Sequence, residues 1–238
     1  MFDSADPRTI LLTTAAGLGL FHTFVGVDHY LPFIALGRAR DWSLKKVAAI
    51  TALCGVGHVL GSILLGFLGI ALSTAIGSLE WIEAIRGTFA AWALVGFGLV
   101  YMAWSIMRVL KKKRHAHVHA HADGSLHHHD HDHRREHAHG HGVPASFSFW
   151  GVFIVFVLGP CEPLIPLLMY PAFEHNWLLV GGVAGVFALT TITTMVGMAI
   201  FGVLGLRMVS LPSLERYANV LAGAAITFSG LAILFLGI

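Results

Sequence analysis

Long uncharged apolar segments alternate with short polar connections along this chain of 238 residues. No Asp, Glu, Lys or Arg occurs in residues 47–72, 87–107, 176–206 or 217–238. Each segment reaches the about 20 residues that an α-helix needs to cross a hydrocarbon core of about 30 Å. Because a buried helix of a soluble protein is rarely so long and so uniformly apolar, the pattern predicts four transmembrane helices.

Two further apolar segments of sufficient length contain a few ionisable residues. They are residues 9–37, with His22, Asp28 and His29, and residues 143–173, with Glu162. The composition agrees with a membrane protein, since 12% of the residues are charged against about 25% in a soluble domain. The predicted fold class is therefore an all-α integral membrane protein with about six transmembrane helices.

The two halves of the chain resemble each other weakly. Residues 26–29 (Gly-Val-Asp-His) align with residues 159–162 (Gly-Pro-Cys-Glu), and a proline follows in each half, at Pro32 and Pro166. Three helices per half would insert with opposite orientations, the inverted-repeat plan of many transporters. Chance is the alternative, because Gly and Pro are common in membrane helices. The predicted domains are a first three-helix repeat (1–110), a His-rich loop (111–146) and a second three-helix repeat (147–238).

The basic residues divide unevenly between the two sides of this topology. The first, third and fifth connections and the helix ends beside them carry 13 of the 15 Lys and Arg residues, leaving Arg8 and Arg86 on the other side. Because cytoplasmic loops are enriched in Lys and Arg, we predict a multi-pass protein of the plasma (bacterial inner) membrane with both termini outside. The second connection, residues 73–86, is expected to be an outer loop or a short interfacial helix.

Several histidine and acidic side chains lie at bilayer depth, where they normally face a bundle interior or an aqueous path. Imidazole and carboxylate together suit a borderline divalent ion such as nickel, cobalt or zinc. A proline four residues after each carboxylate frees a backbone carbonyl as a further ligand. The candidate ligands are His22, Asp28, His29, His58, Cys161 and Glu162.

Helix geometry constrains this candidate site. His22 and His29 are seven positions apart, so in an intact helix they share a face but lie about 10.5 Å apart along the axis. One ion with bonds of about 2.1 Å to nitrogen cannot bind both. We predict that the chain unwinds between Gly26 and Pro32; two successive positions on a path are the alternative.

Other interpretations of the intramembrane polar residues stay open. His58 could hydrogen-bond between helices, and Cys161 could be a soft ligand or a small buried hydrophobe. Glu162 could bind metal, carry a proton or pair with a histidine. Three threonines of the fifth span are candidates to line a path: Thr190, Thr191 and Thr194.

The third connection is a histidine-rich tract without hydrophobic periodicity, and we predict that it is disordered without a ligand. Its composition is that of a metal-binding segment, which in the cytoplasm could collect metal for export or buffer it after import. A pH-sensing tract is the alternative. Its histidines are His115, His117, His119, His121, His127, His128, His129, His131, His133, His137, His139 and His141.

The sequence His22-Thr-Phe-Val-Gly-Val-Asp28-His29, the histidine of the second helix and the internal His-rich loop resemble the nickel/cobalt transporter (NicO/NiCoT) superfamily, including its urease-accessory and metal-efflux members. Residues 159–163 are similar to the second-half motif of these proteins and of the wider LysE/DsbD group. The resemblance implies that His22, Asp28, His29 and His58 bind metal. The nickel-permease signature has four residues between its His and the Asp-His pair, whereas this chain has five.

The expected function is transport of a divalent transition metal, nickel or cobalt with zinc as a further candidate, in an undecided direction. No nucleotide-binding loop occurs, so the driving force would be an ion gradient, a proton gradient or a separate partner. The alternatives are a thiol-disulfide relay or a small-anion (sulfite-type) exporter. We expect no enzymatic activity, prosthetic group or nucleic acid. The expected partners are the metal ion and the lipid bilayer, with a cytoplasmic metallochaperone or a second copy of the chain as candidates.

Overall fold

The computed structural model describes a protein built almost entirely of helices. The described residues are 6–71, 76–111, 117–120, 126–129, 145–159, 161, 163–209 and 217–236. The α-helices within these ranges are α1 (Pro7–Val25), α2 (Leu31–Ala39), α3 (Leu44–Ala71), α4 (Ile76–Lys111), α5 (Ala145–Leu158), α6 (Leu164–Phe173), α7 (Trp177–Met208) and α8 (Ala218–Leu236).

Five of the described helices are long and apolar enough to cross a membrane, namely α1, α3, α4, α7 and α8. Large apolar side chains such as Phe89, Leu178 and Phe201 lie exposed on their outer faces, which is typical of surfaces that contact lipid. These features indicate a membrane protein. The prediction of about six spans is confirmed for these five helices and not for the sixth, because the described part of residues 143–173 forms the two shorter helices α5 and α6.

The first apolar segment is also interrupted, as the spacing of its histidines predicts. Helix α1 ends at Val25, Gly26 is extended (φ −72°, ψ 92°), and a 3₁₀ turn covers Val27–His29 before α2 begins. Pro32 lies in the first turn of α2, where its missing N–H and fixed φ fit a helix start but not a helix interior. The predicted unwinding between Gly26 and Pro32 is confirmed.

The helices pack through small residues that allow close approach, as is usual in membrane bundles. Helix α1 lies against α7, α3 against both α5 and α7, and α4 against α8. At the α4–α8 contact a Cβ added to Gly223 would lie 2.7 Å from the Met102 Cβ. At the α1–α7 contact a Cβ on Gly19 would collide with the Thr190 hydroxyl. These contacts hold the interrupted helices inside the bundle.

Two parts of the chain differ from the sequence-based expectation. Residues 76–86 of the predicted second connection are neither a loop nor a separate interfacial helix but the first turns of α4. Glu83, expected at the outer surface, is fully buried, because Arg86 on the next turn neutralises its charge. In the His-rich tract, His117–Ala120 and Leu126–His129 form two antiparallel strands with His117 opposite His129. The prediction of disorder is therefore not confirmed for these two segments.

Candidate metal centre

Three histidines from different parts of the chain meet in the interior. His22 comes from the last turn of α1, His29 from the 3₁₀ turn and His58 from the middle of α3. The ring centroid of His29 lies 4.6 Å from that of His22 and 5.0 Å from that of His58, and the centroids of His22 and His58 are 6.3 Å apart. One nitrogen from each ring lies within 4.8 Å of the other two. We call these residues the histidine cluster.

The hydrogen bonds of His29 fix which nitrogen is available. Its Nδ1 lies 3.0 Å from the Gly26 carbonyl oxygen and 3.1 Å from Asp28 Oδ1. A carbonyl oxygen only accepts, so Nδ1 carries the proton and donates it. In the neutral ring the Nε2 atom then has a free lone pair. This second-sphere pattern, an imidazole N–H bonded to a carbonyl or carboxylate, is usual for metal-binding histidines.

His58 shows the same arrangement. Its Nδ1 donates to the Phe156 carbonyl oxygen across a distance of 3.2 Å, which leaves Nε2 as the lone-pair nitrogen. The Nε2 atoms of His22, His29 and His58 are all buried without a hydrogen-bond partner. Burying one unsatisfied polar atom is costly and rare. Three in one place are explained if they share a ligand, and a trio of neutral imidazoles suits a borderline divalent metal.

A cavity of about 650 Å³ reaches the histidine cluster from one direction. His22, Asp28 and His29 line it together with apolar residues of α1 and residues of α4 and α8. Asp28 and His58 also line a separate chamber of about 20 Å³, roughly the space for one water molecule. Leu94, Val155 and Phe156 complete that chamber. The large cavity therefore borders His22 and His29, and the small chamber borders His58.

Several predicted ligands lie elsewhere. The Asp28 carboxylate contacts Nδ1 of His29, the nitrogen that faces away from the histidine cluster's shared Nε2 atoms, and is not part of the cluster. Cys161 is fully buried and its thiol is free, but it is not part of the cluster. Glu162 lies outside the described residues. Thr190 and Thr191 lie on α7 near Gly19 of α1, and Thr194 is half-buried one turn later.

The histidines of the loop are only partly described. His117, His119, His127, His128 and His129 lie on the two strands. The others lie outside the described residues: His115, His121, His131, His133, His137, His139 and His141.

Sequence reasoning missed one pair beside the site, Glu83 and Arg86. The sequence places both in the outer connection between two uncharged apolar segments. In the structure Arg86 donates to the carbonyl oxygens of Leu158 and Gly159, at 3.1 and 2.7 Å. The available signal was their spacing of three, which places opposite charges on one helix face.

No family model matches this chain, and no curated protein or solved structure is significantly similar to it. The fold and the site together define a helical membrane protein with a buried three-histidine cluster beside an interrupted helix.

The role of Asp28 can be tested by changing it to asparagine. Asn keeps the shape and an acceptor for the His29 Nδ1–H but removes the negative charge. We expect metal affinity to fall about 10- to 100-fold, as for other outer-sphere partners, while three histidines still bind the ion. Titration of the purified protein with Co²⁺, followed by its visible absorption, measures this. Loss of a bound oxygen ligand in X-ray absorption of the variant would instead make Asp28 a direct ligand.

Proposed function

We propose that the protein carries a divalent transition-metal ion across the membrane, with nickel and cobalt as the first candidates and zinc next. The observation that carries the proposal is the convergence of three buried, unpartnered imidazole nitrogens. Hard ions such as Mg²⁺ and Ca²⁺ prefer oxygen ligands, so a nitrogen-only cluster favours the later transition metals.

The surroundings of the cluster fit a carrier better than a structural metal site. A structural site is closed by four protein ligands, whereas the described residues place three nitrogens together beside a large cavity. The ion could enter from that cavity and bind with water completing its coordination. The rings of Phe33 and Phe156 lie 4.7 Å apart, and Phe156 and Leu94 line the small chamber beside His58. Moving this apolar layer would release the ion to the opposite side.

Helix packing supports the proposed inverted repeat. Each half begins with an interrupted helix, α1–α2 or α5–α6, followed by two long helices. Helix α1 packs against α7 as α5 packs against α3, and α2 contacts α3 and α7 as α6 contacts α7 and α3. Exchanging each helix for its counterpart reproduces these contacts. Substrate sites at interrupted helices between such repeats are typical of secondary transporters.

The remaining features extend the proposal. We assign the chain to the nickel/cobalt transporter superfamily on the motif of residues 22–29 and the His-rich loop, which would be cytoplasmic with both termini outside. The cargo is the metal ion itself, and the protein needs no prosthetic group. A metallochaperone or a second copy of the chain could receive or deliver the ion at the loop.

The test is metal flux into sealed proteoliposomes that contain the purified protein and a metal-sensitive dye. We expect uptake of Ni²⁺ and Co²⁺ above that of protein-free liposomes, weaker uptake of Zn²⁺, and none of Mg²⁺. The order of the rates gives the selectivity. Absence of flux for every transition metal, under each imposed proton or sodium gradient, would contradict the proposal.

The two cysteines separate this function from a thiol-disulfide relay. Cys54 and Cys161 are free, buried and located in different hydrophobic clusters. We expect the double variant Cys54→Ser/Cys161→Ser to retain at least about half of the metal flux, since neither thiol belongs to the histidine cluster. The single variants serve as controls for the packing of each position. Flux abolished by Cys54→Ser would favour a redox role, and flux abolished by Cys161→Ser alone would make that thiol a ligand.

A further inference from the structure

The interruption between α5 and α6 leaves backbone groups that a continuous helix would satisfy. Helix α5 ends at Leu158 and α6 begins at Leu164. Backbone groups at such an interruption need partners, and side chains of α4 supply them for the Leu158 and Gly159 carbonyls and the Cys161 N–H. The described residues between the two helices, Gly159, Cys161 and Pro163, are called the second break.

Arg86 and Glu83 supply those partners. The Arg86 guanidinium donates from Nε to the Leu158 carbonyl at 3.1 Å and from Nη2 to the Gly159 carbonyl at 2.7 Å. Its Nη1 lies 3.0 Å from Glu83 Oε1. Glu83 Oε2 in turn accepts the backbone N–H of Cys161 at 3.3 Å. The pair thus binds the last residue of α5 and two residues of the second break.

The same guanidinium also reaches α3. Arg86 Nη2 donates to the Ser62 hydroxyl at 2.7 Å, and Ser62 lies four residues, or about one turn, after His58 on the same helix face. A planar guanidinium with five donors can make these bonds together, which a lysine ammonium cannot reproduce. Arg86 therefore joins α3, α4 and the second break at one point.

His58 belongs to α3 and contacts the end of α5, next to the second break that Arg86 joins to α3. Its Nδ1 donates to the carbonyl of Phe156, in the last turn of α5. A Cβ added to Gly159 would lie 3.0 Å from that same Nδ1 atom. A shift of the second break relative to α3 would therefore move the acceptor of His58 and turn its ring.

We propose that Glu83 and Arg86 are positioning residues that hold His58 in the metal-binding orientation. The proposal rests on the metal transport proposed above and adds a residue pair outside the cluster that controls its geometry. Neither side chain touches the ion. Their effect passes through the second break to the Phe156 carbonyl, and through Ser62 to α3.

The test compares Arg86→Lys with the unaltered protein in Co²⁺ titrations of the full chain in detergent. Removing one partner of a buried ion pair is strongly destabilising, so Lys is preferred to Ala, and a double variant Glu83→Gln/Arg86→Gln removes both charges together. We expect each to bind Co²⁺ about 10- to 100-fold more weakly. X-ray absorption should report two imidazoles instead of three. Glu80→Gln, an exposed carboxylate one turn earlier on α4, is the matched control and should bind normally.

A double-mutant cycle distinguishes positioning from general destabilisation. In a His58→Ala background, Arg86→Lys should cause no further loss of Co²⁺ affinity, because the ligand that it positions is already gone. Additive losses, or three bound imidazoles in Arg86→Lys, would overturn the positioning role while leaving metal transport intact. Failure of the unaltered protein to bind any transition metal would overturn both proposals.

Discussion

Replacing His29 with alanine should abolish metal flux. His29 is the ring that lies between the other two, 4.6 Å from His22 and 5.0 Å from His58 by centroid, and its Nδ1 is held by two acceptors. Without it the two remaining rings are 6.3 Å apart and offer two nitrogens. We expect affinity to fall by more than the about 10- to 100-fold typical of outer-sphere changes. Initial uptake rates in proteoliposomes, over a range of Ni²⁺ concentrations, measure the effect.

The control for this variant is a histidine away from the site. His175 is exposed between α6 and α7 and has a positive φ of 52°. Asparagine tolerates this backbone conformation better than alanine, so His175→Asn changes the imidazole without adding strain. It should transport at the unaltered rate. Equal flux from His29→Ala and His175→Asn, at equal protein content, would exclude the histidine cluster as the transport site.

Replacing Gly26 with alanine should have the second largest effect, although it removes no functional group. A Cβ at this position would lie 2.5 Å from His29 Nδ1 and 3.0 Å from Asp28 Oδ1. Gly26 has φ −72° and ψ 92°, which alanine can adopt, so the effect is steric rather than conformational. The His29 ring must turn away from its acceptors. We expect Co²⁺ affinity to fall about 10- to 100-fold, with a changed visible spectrum.

Gly17→Ala, within the helix α1 that precedes Gly26, is the control. A Cβ at Gly17 meets no atom within 4 Å, and alanine favours the helix more than glycine does. This variant should bind Co²⁺ as the unaltered protein does and be at least as stable to heating. If Gly26→Ala also bound Co²⁺ normally, the contact between residue 26 and the His29 ring would not matter for the site.

The apolar pattern and the spacing of a few residues predict much of this protein. Uninterrupted stretches without charge identify the long helices, because a membrane helix must present apolar side chains over its whole length. The seven-residue separation of His22 and His29, with Gly26 and Pro32 nearby, predicts a break, since an intact helix keeps the two rings apart. Both expectations rest on rules that act within one segment of chain.

Contacts between segments that are distant in sequence determine which polar side chains meet at the site. The sequence marks Asp28 and His29 as equivalent candidate metal ligands. In the structure the turn that follows α1 places the Asp28 carboxylate against Nδ1 of His29. His58 joins the cluster only because α3 packs beside the interrupted helix. In the sequence Glu83 and Arg86 resemble surface charges. The interruption between α5 and α6 leaves backbone groups of Leu158, Gly159 and Cys161 for them to bind. Local composition therefore determines that the chain forms membrane helices and that the first apolar segment breaks near Gly26. Only tertiary packing determines which buried polar atoms meet, because the partner that satisfies each one lies far away in sequence.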